Sequence, residues 1–359
     1  MRILPVLAIA FIGCGGDTAP PKDAPAPAPS ADGPVPVFTL AWSEYPSWST
    51  FGVAHELGLL NGKKGELGEL EKKWNVDVVL KEADYDSCIT MYGAGQVDAA
   101  ALTNMDSLPP AATKNTVAIL PTSTSAGADA LITTKDITEL SQLKGKKVYG
   151  LALTVSEYTF VRNLELKGEK EAEYSFTNMD PAAAAMAMQQ KNDGYEAIVV
   201  WNPFVMETLS KRDDVHVLAD STAIPGEIVD MVIMSEASLD KPGGDAFAHA
   251  IIDAFYTVSA RLEQADTRND TLVALGEKFS HLDAKAMETV VTQTAFYKTA
   301  DDGIALFEGA DLKKVMATVV AFETSHDMLK ADPTISYGSE KGAQMRFDAS
   351  YMKAVKAKK

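Results

Sequence analysis

Four short stretches of this chain combine carboxylates, amides and flat rings. They are Trp42, Glu44, Tyr45 and Trp48; Asn104 and Asp106; Ser156, Glu157 and Tyr158; and Trp201 and Asn202. A carboxylate accepts hydrogen bonds in its own plane, and an aromatic face attracts a cation through its ring quadrupole. Gathered round one cavity, such groups favour a small guest that is positive or rich in N–H donors. Each stretch also has a plainer reading. Trp42 and Trp48 could be core, Asp106 a helix N-cap, Glu157 a solvated first-turn acid, and Asn202 a turn former before Pro203. No nucleophile elbow, phosphate-binding glycine loop or metal motif accompanies them. The five histidines are scattered, and the two cysteines, Cys14 and Cys88, cannot build a disulfide framework or a zinc site. The expectation is a protein that binds, not an enzyme, with no cofactor and no metal.

The elements that must position these groups alternate in kind. Val37–Ala41 reads as a strand, followed by a loop through Trp48 and a helix with Phe51, Val53, Ala54 and Leu57. Further strands are predicted at Val76–Leu80, Val97–Leu102, Val117–Leu120, Val148–Leu151, Tyr174–Phe176 and Ala197–Trp201. Helices are predicted at Tyr85–Tyr92, Ser156–Leu166 and Pro181–Gln190. From Ala246 onward the chain reads as mostly helix. Strands alternating with helices imply an α/β fold with largely parallel sheets. In such folds ligands lie outside the carboxyl ends of strands, where all four stretches fall.

The first residues read as an address. Arg2, the apolar run Ile3–Ile12 and the small Gly13 make a secretory signal too short to span a bilayer as a helix. Phe11-Ile12-Gly13-Cys14 resembles a bacterial lipobox, with Phe11 where Leu is usual, and implies an acylated Cys14 after cleavage. The stretch from Gly15 to Pro36, with Ala24-Pro25-Ala26-Pro27-Ala28-Pro29, is a semi-stiff tether. The 359 residues carry 33 Lys plus Arg against 50 Asp plus Glu, a net charge of −17. That balance repels nucleic acid and anionic headgroups, so the membrane contact expected is the lipid anchor alone.

In order and spacing, Gly145-Lys146-Lys147-Val148, Thr154-Val155-Ser156-Glu157-Tyr158 and Val200-Trp201-Asn202-Pro203 resemble periplasmic binding proteins of nitrate, sulfonate and taurine ABC importers. The resemblance covers most of residues 37 to about 240. One branch is closer, the binding proteins associated with urea (guanidine) carboxylases. It resembles this chain at Trp42-Ser43-Glu44-Tyr45, Thr103-Asn104-Met105-Asp106, Val155-Ser156-Glu157-Tyr158, Trp201-Asn202-Pro203 and Ile224-Pro225-Gly226-Glu227-Ile228. The segment Asn61–Leu70 departs from the pattern and reads as a surface loop.

The resemblance implies a two-lobe fold with mainly parallel sheets and a ligand cleft between lobes. The chain would cross between lobes near Ser125–Ile132 and Glu227–Met234, which puts Glu227 at the cleft or at a hinge. The implied organisation is signal 1–13, anchor and linker 14–36, one lobe from 37–128 plus 230–359, and the other from 129–229. It implies an exported, lipid-anchored monomer that delivers guanidine or a urea-like solute to an ABC permease and its ATPase. The alternative is the same fold serving taurine, a sulfonate or a pyrimidine precursor. Relatives that bind sulfonates often carry His where Glu157 stands, so this substitution favours a cation. The guanidine reading requires Glu44, Asp106 and Glu157 to face one cavity.

Overall fold

Short apolar runs, most of them buried on both faces, become strands between covering helices. The computed structural model describes residues 34–358. The signal segment, Cys14 and the linker up to residue 33 lie outside the described residues. Strands β1 (Val37–Trp42), β2 (Asp77–Glu82), β3 (Ala99–Thr103) and β4 (Thr116–Ser125) come first. They are followed by β5 (Asp129–Thr134), β6 (Lys147–Gly150), β7 (Ser175–Asn178), β8 (Ala197–Trp201) and β9 (Val215–Asp220). The last are β10 (Val229–Ser235), β11 (Thr294–Phe296), β12 (Ile335–Tyr337) and β13 (Met345–Phe347).

Two sheets result. The larger has the order β12-β13-β4-β10-β3-β1-β2, with β11 also on β4, and the smaller has the order β7-β6-β8-β5-β9. The chain therefore passes from the larger sheet to the smaller between β4 and β5, and returns between β9 and β10. Pairings within each run of helix-linked strands are parallel. Every antiparallel pairing involves β4, β5 or β10, the strands that flank a crossing. The first crossing is only Ala126, Gly127 and Ala128. Gly127 sits at φ +103°, where a side chain would be strained, and its N–H donates to Ser221 Oγ at 2.8 Å.

The predicted strands and helices are present, with β4 longer than expected. Strands β5, β9, β10 and β11–β13 were not expected from the sequence, where residues 227–234 read only as a crossing. The last three are three residues each, too short to print an alternating pattern. The 20-residue helix Gly244–Glu263 backs the larger sheet, with Phe247 stacked on Phe38 at 5.1 Å between ring centres. No helix among the described residues is long and apolar enough to cross a membrane.

The Asn61–Leu70 segment is mostly exposed but is fastened from below. Glu71 is fully buried and accepts from the backbone N–H groups of Asn61, Gly68 and Val78, the last two at 2.7 and 2.6 Å. Glu71→Ala strands three donors and is expected to cost about 3 kcal/mol of folding stability, read from urea denaturation. A loss under about 1 kcal/mol would mean that water replaces the carboxylate.

Candidate functional site

Register decides which side chains meet. β1, β3 and β8 end at Trp42, Thr103 and Trp201, at one edge of their sheets. Because β5 and β10 run antiparallel to their neighbours, their amino ends reach that same edge. Asp129 lies opposite Trp201 on β8, and Asp230 lies opposite Thr103 on β3 and Ser123 on β4. The loop after β1 brings Tyr45 and Trp48. The helix Tyr85–Gly93 brings Tyr85, and the helix Val155–Leu166 brings Val155.

Tyr45, Trp48, Tyr85, Thr103, Asp129, Val155, Trp201 and Asp230 line a cage with about 240 Å³ of atom-free space. Only about 10 Å³ of it admits the centre of a water molecule. As it stands the cage is partly open and has room for about one water molecule. Trp48 stacks on Tyr85 at 5.5 Å and 12°, Tyr45 tilts against Trp48 at 4.9 Å, and Trp201 meets Tyr85 edge-on at 5.5 Å. The Trp48 Nε1 and Tyr45 hydroxyl form no well-made hydrogen bond within the protein.

The acids at this cage are buried and lack basic partners. No Lys, Arg or His among the described residues pairs with Asp106, Asp129 or Asp230. Asp106 Oδ2 accepts from Tyr85 Oη at 2.6 Å and Thr103 Oγ1 at 2.8 Å, while its Oδ1 makes no well-formed hydrogen bond in the protein. Burial pushes Asp106 up to about 6 against those two bonds and the nearby Val155 N–H. Burial also pushes Asp129 up to about 7, with Ser125 opposing and the Asp106 charge adding. Asp230 is raised well above the carboxylate range by burial and by Asp129, although Ser123 Oγ donates to it. The Tyr45 and Tyr85 hydroxyls are raised by burial and by these same acids.

Outside the cage lies a groove with about 930 Å³ of atom-free space, sharing Tyr85 and Trp201 as its inner wall. Its lining includes Glu44, Glu82, Asp84, Asp86 and Asp180 and no basic side chain. Asp84 and Asp180 cap helices through Ser87 N and Ala183 N, and their charge also faces the groove mouth. A groove of one sign concentrates counter-charged solutes at its floor.

The sequence-derived candidates divide. Tyr45, Trp48 and Trp201 line the cage, and Asp106 bonds to its Tyr85 wall. Trp42 is buried with its Nε1 unpartnered and lines neither space. Ser156 and Asn202 are buried; the Ser156 Oγ has no partner, and the Asn202 amide donates to Gln293 Oε1 at 2.7 Å. Asn104 is structural, since its side chain bonds the Glu227 carbonyl and the Val229 N–H and so pins the second crossing.

The requirement that Glu44, Asp106 and Glu157 share a cavity is not met, so the guanidine assignment that rested on those three acids falls, and a cationic guest has to be argued from other groups. Glu44 sits in the outer groove, tied to Ser280 N and Oγ. Glu157 folds back to accept from Leu153 N at 2.7 Å, at the foot of its helix. Glu227 is not a free acid either. It accepts from Tyr158 Oη at 2.6 Å and from Arg162 Nε and Nη2 at 2.8 and 2.9 Å, so both it and Tyr158 belong to the crossing. The residues missed were Tyr85, Thr103, Asp129 and Asp230. A signal existed for two of them: an aspartate opening each of the apolar runs Asp129-Ala130-Leu131-Ile132 and Val229-Asp230-Met231-Val232.

No family model matches the chain, and no curated protein matches it in sequence. Solved structures do match it in shape. The periplasmic aliphatic sulphonate binding protein SsuA from Escherichia coli superposes with a TM-score of 0.65 at 17% identity, covering 84% of this chain and 90% of that one. The alkanesulfonate-binding protein SsuA from Xanthomonas axonopodis pv. citri, bound to MOPS, gives 0.65 at 14% identity, covering 84% and 96%. The periplasmic nitrate-binding protein NrtA from Synechocystis PCC 6803 gives 0.54 at 12% identity, covering 89% and 97%. This is the two-lobe periplasmic binding protein fold.

In that fold the two crossings join the lobes, and the cage lies beside both of them. Burial alone would raise Glu227, but the Arg162 and Tyr158 bonds hold it below the usual glutamate range. Its contribution to stability is therefore present above that range and is lost as pH falls through the lowered value. Arg162→Ala leaves the half-buried Glu227 without a cation, keeping only the Tyr158 bond, and is expected to cost about 2 kcal/mol. Adding Glu227→Gln should recover part of that loss in thermal melts; a double variant no better than the single would contradict the pairing.

Proposed function

We propose that the chain is the solute-binding component of an ABC importer, exported and held at a bacterial membrane through an acylated Cys14. In this reading it passes its guest to a permease and its ATPase and does no chemistry on it. The lobes are residues 37–128 plus 230–359 and residues 129–229, and the working form is a monomer. The guest is a small organic cation carrying N–H donors, of guanidinium size. The likeness of the fold to sulphonate- and nitrate-binding proteins supports the transport role.

One observation carries the sign of the guest. Asp129 and Asp230 stand buried at the edge of an aromatic cage with no basic side chain beside them. A guanidinium ion is flat and turns donors towards acceptors in its plane; because Trp48 already stacks on Tyr85 at 5.5 Å, these rings must part to admit it. A quaternary ammonium would supply the charge and leave those acceptors unbonded. A carboxylate about 4 Å away contributes about 4 kcal/mol at an effective dielectric of 20, before desolvation is subtracted. Four heavy atoms at a ceiling near −1.5 kcal/mol each cap the affinity at about tens of micromolar.

Taurine or another sulfonate is the second reading, since sulphonate-binding proteins are among the structural neighbours. Buried carboxylates repel its anionic end. Thermal melts separate the two. Guanidinium chloride at about 1 mM should raise the Tm by a few degrees, urea should do less, and taurine should do nothing. No shift with any guanidino compound, or a shift with taurine alone, would end the cation reading.

A further inference from the structure

We propose that Glu157, Glu171 and His326 form a site for one divalent transition-metal ion that ties the two lobes together. One carboxylate oxygen from each glutamate and a ring nitrogen of His326 lie within 4.8 Å of one another. They come from three elements: the first turn of the helix Val155–Leu166, the short turn Glu171–Glu173, and the residue closing the helix Ala310–Ser325. The first two belong to the part of the chain that builds the smaller sheet. The last lies between β11 and β12 of the larger sheet.

The imidazole shows why this is more than two acids near a histidine. His326 Nδ1 lies 2.8 Å from the Phe322 carbonyl, which can only accept, so Nδ1 carries a hydrogen. In the neutral ring Nε2 then presents a lone pair, and it faces Glu171 Oε1, another acceptor, at 2.8 Å. Two acceptors at that separation require a positive centre: a second ring proton accounts for the 2.8 Å pair as it stands, and a metal ion could replace that proton once the two atoms move apart to about 3.0–3.6 Å. A ligating histidine that donates its other N–H to a backbone carbonyl is the recurrent arrangement at protein metal sites. The ring is also fixed by Phe322, 4.0 Å away between centres.

Zinc bonds of about 2.0–2.2 Å place neighbouring ligand atoms about 3.0–3.6 Å apart. Small side-chain rotations reach that from the separations present. Glu157 Oε2 is engaged with Leu153 N, which leaves Oε1 for the ion. One imidazole and two carboxylates suit zinc, nickel or cobalt and not calcium or magnesium, with water completing the shell. An ion held here would favour the closed arrangement of the lobes whatever the guest in the cage.

The test uses the mature chain stripped with EDTA. Zinc chloride at about 100 μM should raise the Tm by several degrees, and elemental analysis should find one zinc per chain. Calcium at the same level should shift the Tm far less. His326→Ala and Glu171→Gln should each weaken zinc binding at least about tenfold; Glu171 is exposed, so its variant leaves the fold intact. Absence of retained zinc and of a Tm shift would assign the pair to a charged imidazole and overturn the proposal. Equal zinc binding by both variants would overturn it too.

Discussion

Asp230→Asn is expected to weaken guanidinium binding about a hundredfold, and at the same time to raise the Tm of the ligand-free protein near neutral pH. Removing one partner of a buried charge contact costs about 2–5 kcal/mol of binding, and 3 kcal/mol is about a hundredfold. The opposite effect on stability has the same cause. Asp230 is buried, carries no cation partner and is raised well above the carboxylate range. Near neutral pH the unfolded chain ionises this residue and the folded chain resists doing so, which destabilises the fold. Asparagine keeps the shape and removes that penalty. Glu44→Gln is the control: its carboxylate is tied to Ser280 in the outer groove, so about a threefold loss or less is expected. Calorimetry and thermal melts of the two variants check both halves. Unchanged affinity in Asp230→Asn would remove the cage from the account.

Affinity for guanidinium should also climb steeply with pH, by up to about tenfold per unit between about pH 5.5 and 7.5. The cation requires ionised acids, while Asp106 keeps its proton to about 6 and Asp129 to about 7. The groups that share the titration are Asp230, Tyr45 and Tyr85 around the cage, and the buried Glu323, whose two oxygens have no partner in the protein and which is raised by burial and by Asp106. Binding near pH 6.5 should release about one proton per cation, measured by calorimetry in buffers of different ionisation heat. The sign for the empty protein is opposite. Between the ordinary aspartate range and about pH 7 the folded chain holds protons that the unfolded chain has lost, so stability from these acids falls as pH rises. A guest of negative charge would bind more weakly as pH rises, so the direction alone discriminates.

Much of the fold was legible because its strands are buried runs of ordinary length. β8 was read at its full bounds, Ala197–Trp201, and β1 to within one residue. The site was legible only in part, for a geometric reason. Tyr45, Trp48, Asp106 and Trp201 stand in or beside loops that follow strands, where an α/β pattern points to a ligand site. Asp129 and Asp230 escaped because they open antiparallel strands, whose amino ends reach the edge where parallel strands have their carboxyl ends. Glu227 was chosen three residues short of Asp230, on the same crossing. Its pairing with Arg162 spans the chain from the helix Val155–Leu166 to that crossing and leaves no trace in local pattern. Glu157 sits in an expected loop, but a first-turn acid readily serves the backbone at the foot of its own helix, and there it bonds Leu153 N.

The most direct test is calorimetric titration of the purified protein near pH 7.5 with two guests of opposite charge, guanidinium and methanesulfonate. An acid-lined aromatic cage predicts one guanidinium per chain at tens to hundreds of micromolar, and no heat from methanesulfonate. Saturable binding of methanesulfonate with none of guanidinium would contradict it outright.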